Sequence, residues 1–135
     1  MIKKTLKTMG IVAAAITVLG TSALAGQCYQ GFNTTVAKLN GDGYTGTQKK
    51  ELNGNNGRVK ASSVGGGYSV DVMMEEKSGS SFNGTGIWTR NLKTGKNLEV
   101  TANGNMKCGD IVRLRFSNDA LTPVAVQVTG EWKSN

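Results

Sequence analysis

Tyr68-Ser69-Val70-Asp71-Val72-Met73-Met74-Glu75 decides the fold. Side chains of an extended chain alternate with period two, so Tyr68, Val70, Val72 and Met74 share one face and Ser69, Asp71, Met73 and Glu75 the other. One face is apolar and the other largely polar, as in a half-buried strand. The pattern returns in Val112, Leu114 and Phe116, set against Ile111, Arg113, Arg115 and Ser117. It returns again in Val126 and Val128, with Val124 before them, set against Ala125, Gln127 and Thr129. A shared core of Val70, Val72, Leu114, Phe116, Val126 and Val128 follows, because a one-residue slip would bury Asp71, Arg113 and Arg115 instead.

Between these runs the chain is cut by turn signals. Asn-Gly pairs at Asn40-Gly41, Asn53-Gly54, Asn56-Gly57, Asn83-Gly84 and Asn103-Gly104 tolerate the positive φ of tight hairpin turns. Gly65-Gly66-Gly67, Thr94-Gly95 and Asn118-Asp119 add further breaks. Shorter strands are predicted at 32–39, 44–52, 58–64, 86–90 and 97–101, and no segment has a helical pattern. Seven or eight short antiparallel strands with one apolar face require two sheets packed face to face, so the fold class is all-β, an antiparallel β-sandwich. A small closed β-barrel is the alternative, because alternation is the same in both. Trp132 keeps the parity of Val126 and Val128, which places its indole at one end of the core with its N–H at the rim.

The first 25 residues read differently. Lys3, Lys4 and Lys7 precede an apolar run from Met9 to Gly20, and Ala23 and Ala25 stand where a signal peptidase requires small residues. Residues 1–25 are thus a signal peptide and residues 26–135 a single secreted domain beginning at Gly26. The apolar run falls short of the roughly 20 residues of a membrane span, so the mature form has no transmembrane segment. The protein is expected outside the cell, or in the periplasm if the source has an outer membrane. Gln27 occupies the place where a lipoprotein signal wants a small residue, so Cys28 carries no lipid. In an exported chain the two cysteines, Cys28 and Cys108, are expected to form one disulfide. Closing that loop would remove about 4.5 kcal/mol of unfolded-chain entropy.

Catalysis has little to draw on. The chain contains no histidine, which removes the commonest general base and every Ser-His or Cys-His nucleophile. Asp71, Glu75, Glu76, Asp110 and Asp119 could form a carboxylate pair for polysaccharide hydrolysis. Asp71 and Glu75, however, share the polar face that elsewhere carries Arg113 and Arg115, and cross-strand ion pairing is the simpler use. The segment Asn40-Gly41-Asp42-Gly43 has the centre of a calcium loop, but Lys38 and Lys49 stand at its acidic ligand positions. Neither a catalytic residue, a metal site nor a cofactor is assigned.

The charge of +7 includes three lysines of the signal peptide, so the mature excess over 9 acidic residues is mild. It favours anionic cell-envelope polymers or lipids, with Lys49, Lys50, Arg113 and Arg115 as the exposed contact and Arg115→Ala costing little stability. Nucleic acid is not a predicted partner, because no basic face carries interleaved aromatic residues. Tyr44, Trp88 and Trp132 could instead form an aromatic platform for sugar rings or bilayer interfaces. The lysine-led signal, the Asn/Gly/Thr-rich short strands and the terminal Val128-Thr129-Gly130-Glu131-Trp132 resemble small secreted proteins of Gram-positive bacteria, of which lactococcin-type bacteriocins are the nearest group. That resemblance implies a secreted, bacteriocin-like antagonist. The functional expectation is a non-catalytic protein binding at a cell envelope, with extracellular self-association through open strand edges as the alternative.

Cleavage after Ala25 predicts a secreted product whose first residue is Gly26 and whose Cys28 bears no acyl chain. Intact-mass and N-terminal peptide measurement on the exported protein checks both.

Overall fold

The computed structural model describes residues 24–135. Apart from Leu24 and Ala25, the assigned signal peptide lies outside the described residues. Eleven strands occur among these, in order β1 (Leu24–Ala25), β2 (Gln30–Val36), β3 (Asp42–Tyr44), β4 (Gln48–Lys49), β5 (Gly57–Val64), β6 (Val70–Ser78), β7 (Ser81–Gly84), β8 (Thr89–Leu92), β9 (Asn97–Val100), β10 (Ile111–Ser117) and β11 (Val126–Lys133). They form two sheets, as a sandwich requires. The excess over seven or eight strands comes from short pieces. The run predicted at 44–52 is divided between β3 and β4, and Asn83-Gly84 lies within β7 rather than at a turn.

The larger sheet is built on the antiparallel pair β6–β10, whose register runs from Val112 opposite Glu76 to Ser117 opposite Asp71. Each free side of this pair is shared by two short strands. On β10, Ile111 and Val112 pair with β4 while Arg115 to Ser117 pair with β3. On β6, β7 takes Glu75 to Ser78, and β8 takes Val70 and Val72. The smaller sheet has the order β2-β11-β5-β9. A bulge between Thr129 and Gly130 shifts the β11–β5 register. A Cβ on Gly130 would come within 2.0 Å of the Lys60 carbonyl oxygen, so the close approach of the two strands requires glycine there.

The two sheets meet through the predicted apolar faces. Val70, Val72, Leu114, Phe116, Val126 and Val128 are all buried in one cluster, joined by Phe32, Val59, Met74, Leu92, Val112 and Trp132. Phe32 from the smaller sheet stacks on Phe116 from the larger, with centroids 5.2 Å apart, an aromatic contact across the sandwich. Gly65–Gly67 forms a tight 3₁₀ turn in which Gly66 and Gly67 have φ of 64° and 74°. This is the predicted turn.

One covalent expectation fails. Cys28 and Cys108 are free, exposed thiols rather than a disulfide. Each sits in a loop with its own tether: the Cys28 N–H donates to the Ala25 carbonyl, and the Cys108 N–H donates to Asn53 Oδ1 at 2.7 Å. With no cross-link in place, stability rests on the core. Phe116→Ala removes one side of the inter-sheet stack, and the fold predicts a loss of about 3–5 kcal/mol, read from the shift in denaturant midpoint.

Candidate binding face

The polar face of β6 and β10 is where chemistry-bearing side chains converge. Their parity is as predicted, since Asp71, Met73, Glu75, Arg113 and Arg115 all point away from the core. Their exposure is not. Asp71 and Glu75 are 8% and 4% exposed, because basic side chains and the segment joining β7 to β8 lie over them. Met73 is also buried outside the main core, its sulfur accepting the Gly86 N–H at 3.3 Å.

Glu75 holds two guanidinium groups. It accepts from Arg113 Nε at 2.9 Å and lies 3.6 Å from Arg115 Nη1. The Arg113 guanidinium is in turn sandwiched between the rings of Tyr44 and Phe82, 4.0 and 3.9 Å from their centroids. A planar, weakly hydrated cation suits that position. Arg115 also donates to Asp42 Oδ2 at 2.9 Å and lies 5.6 Å from the Trp88 ring. The Asp42 hydrogen bond is the main cause that raises the pKa of Arg115 above its usual value. Asp71, expected opposite an arginine of β10, pairs instead with Arg90, and its second oxygen accepts the Asn91 N–H at 3.1 Å.

The Arg115–Asp42 and Arg90–Asp71 pairs line a cavity of about 340 Å³ at the end of β10, with Trp88 and Asn118 also in its wall. Asn118 fixes the floor, because its Nδ2 donates to the carbonyls of Val36 and Ala37 at 3.0 and 2.9 Å. Asp42 Oδ1, Arg115 Nε and Asn118 Oδ1 are screened from solvent and have no hydrogen-bond partner among the described residues. Arg115→Ala should therefore cost more than the sequence suggested, since it leaves Asp42 without its guanidinium.

The predicted site residues divide. Tyr44, Trp88, Arg113, Arg115 and the exposed Lys49 are on this face. Lys50 and Trp132 are not. Lys50 is fully buried, with Nζ donating to the carbonyls of Asn55 and Ser134 at 2.7 Å each. Trp132 is in the core, on the other side of the sandwich from Tyr44, and its indole N–H is buried without a partner rather than at the rim. The three aromatic residues therefore form no single platform. Asp42, Phe82, Arg90 and Asn118 were missed, because each lies in a short strand or loop without a periodic pattern.

Of the candidate acids, Glu76 and Asp110 are hydrogen-bonded at the opposite end of β10, where burial, then Asp110, raises the pKa of Glu76. They are remote from the cavity. Asp119 is an exposed residue of its rim. No group of three or more acidic or cysteine side chains suited to a metal occurs among the described residues, and none of their helices is long and apolar enough to cross a membrane.

No family model matches the chain, and no curated protein is similar to it. Among solved structures, TmCBM61 in complex with beta-1,4-galactotriose aligns with 75% of this chain at 16% identity and a TM-score of 0.38. The chain spans 66% of that structure's length.

Burial pushes the Lys50 ammonium down to about 8 from its usual 10.5, against the pull of Asp110. Between those two values the unfolded chain holds the proton and the folded chain does not, so stability rises as pH increases through this window. The cost of burying the charged form is fully present below about pH 8. In Lys50→Met the rise contributed by this group should disappear. The difference between wild-type and variant unfolding free energies, measured from pH 7 to 11, checks it.

Proposed function

We propose that the protein is an exported, non-catalytic binding domain whose polar face on the larger sheet takes a neutral saccharide of a cell envelope or extracellular matrix. The observation that carries this reading is the cavity beside Trp88, where an indole adjoins Asp42, Asp71, Arg90, Arg115 and Asn118. A sugar ring has an apolar C–H face that packs on an aromatic ring, and hydroxyls that both donate and accept hydrogen bonds. Aspartate and asparagine oxygens accept from such hydroxyls, and guanidinium groups donate to them. Acidic and basic side chains are interleaved here and joined as ion pairs. That balance favours a neutral ligand over a charged one.

The further contacts along the face fit a chain rather than a single sugar. Tyr44 and Phe82 are held on either side of Arg113, itself fixed by Glu75. Their positions are set before any ligand arrives, which lowers the ordering cost of binding. Glu75 and Asp71 are committed to arginines, which supports recognition rather than hydrolysis as their role.

The test is calorimetric titration with neutral β-linked oligosaccharides, beside a search for released reducing ends. Trp88→Ala should weaken binding at least tenfold and Lys107→Ala, at an exposed loop residue away from this face, should leave it unchanged. Affinity should vary less than twofold between low and physiological salt, since hydrogen bonds and ring stacking are screened far less than surface charge attraction. Equal binding by wild type and Trp88→Ala, or turnover that depends on Asp71, would overturn the proposal.

A further inference from the structure

The outer face of the smaller sheet carries a second opening, a trough of about 640 Å³ whose floor includes Gly31, Ala61, Gly95 and Gly130. Small residues from β2, β11, β5 and the turn before β9 meet here, so the backbone is left uncovered. Gly130 is glycine because its neighbours leave no space. Gly31 is different: a Cβ there would find its nearest neighbour 3.8 Å away. Room for a side chain exists at Gly31 and is left unfilled.

The charge around the trough is predominantly basic. Lys60, Lys96 and Glu131 line it, while beside it Lys133 and Arg58 face each other directly across the β11–β5 pair. Like charges so placed are destabilising. Lys60 and Lys133 also both approach the Tyr29 ring, at 4.1 and 5.1 Å from its centroid, which concentrates cations on a single aromatic ring. The acids of this face do not cancel them. Glu131 lies 3.7 Å from Lys60, and Glu99 stands opposite Arg58 in the register, yet Arg58 Nε donates to Asn97 Oδ1 instead. Lys96, Lys133 and Arg58 have no carboxylate within ion-pair distance among the described residues.

We infer that this trough is a second binding site, for an anionic polysaccharide-type polymer with phosphodiester or carboxylate groups along its backbone. Successive same-face positions of a strand are about 6.6 Å apart, so Arg58 and Lys60 present charge at an interval suited to one anionic group per repeat unit. The glycine floor lets the chain lie against the backbone, and an anion between Lys133 and Arg58 relieves their repulsion. The exposed basic contact expected at Lys49, Lys50, Arg113 and Arg115 is thus relocated. Lys50 is buried and both arginines of β10 are neutralised, whereas this face keeps a positive excess. The site stands independently of the saccharide cavity on the opposite sheet.

Polygalacturonate and a poly(glycerol phosphate) chain are the probes for the two anion chemistries, with neutral dextran and duplex DNA as controls. Binding to the full exported protein is measured at 20 and 300 mM salt. The double variant Lys96→Ala/Lys133→Ala should lose at least tenfold in affinity for one or both polyanions and show a flatter salt dependence. Gly31→Leu, which fills the trough without removing charge, should weaken binding comparably while its thermal melt stays close to wild type. Trp88→Ala should leave polyanion binding intact, so that the two sites fail separately. Binding of neither probe, or binding indifferent to both trough variants, overturns the inference. Duplex DNA binding as tightly as the polymers and being insensitive to Gly31→Leu would also overturn it, because charge alone would then suffice.

Discussion

The register of β6 against β10 is the constraint on which the rest of the molecule depends. With Phe116 opposite Val72 and Leu114 opposite Met74, one face of the pair closes the core and the other gathers Asp71, Glu75, Arg113 and Arg115. A shift by one residue would exchange these sets and leave buried charges without partners. The same pairing that removes apolar surface from water also assembles the charged outer face. Core and site are therefore two sides of one register, and Glu75 reinforces it by reaching both arginines of the adjacent strand.

A second constraint acts at the end of the sandwich nearest the C-terminus. Gln48 Nε2 donates to the Trp132 carbonyl, its Oε1 accepts the Ser134 N–H, and Lys50 Nζ donates to the Ser134 carbonyl. Strand β4 and the residue after it thus hold the end of β11 and the residue beyond it through side chains, joining the two sheets where they have no shared ladder. Two buried polar groups alone satisfy this arrangement poorly, since the Trp132 indole N–H and Ser134 Oγ lack partners. Burying Lys50 in such a place costs stability at neutral pH, and its two carbonyl acceptors offset part of that cost.

Much of the fold was legible because its signals are local. Alternation in Val70 to Met74, Val112 to Phe116 and Val126 to Val128 needs no knowledge of partners, and it placed every one of the six predicted core residues correctly. Turn chemistry was less certain, since Asn83-Gly84 continues β7: an Asn-Gly pair permits a tight turn without compelling one. The polar face of the larger sheet was half legible. Arg113 and Arg115 were singled out by parity and Tyr44 and Trp88 by type, but Asp42, Arg90 and Asn118 join them through positions that only the sheet order brings together. Lys50 was misread for the same reason. Its partner Ser134 is 84 residues away, and nothing beside it in sequence distinguishes it from the exposed Lys49. The disulfide rested on counting cysteines, which carries no information on where two loops lie.

The two outer faces solve different physical problems with similar residues. On the larger sheet, cations are matched to carboxylates and flanked by aromatic rings, so the face is rigid and close to neutral. On the smaller sheet, cations face cations over a floor of glycine, so charge is left unbalanced and space unfilled. Burial explains the contrast, because Asp71 and Glu75 are buried on the first face and must be paired to be tolerated, whereas the half-exposed charges of the second face stay hydrated. A ligand on the first face must replace hydrogen bonds with equally specific ones; a ligand on the second gains by displacing loosely held counterions. On the proposed reading, selectivity belongs to the Trp88 face and adhesion to the Gly31 face, so that an exported domain with both would hold to a charged polymer while it samples neutral sugars along it.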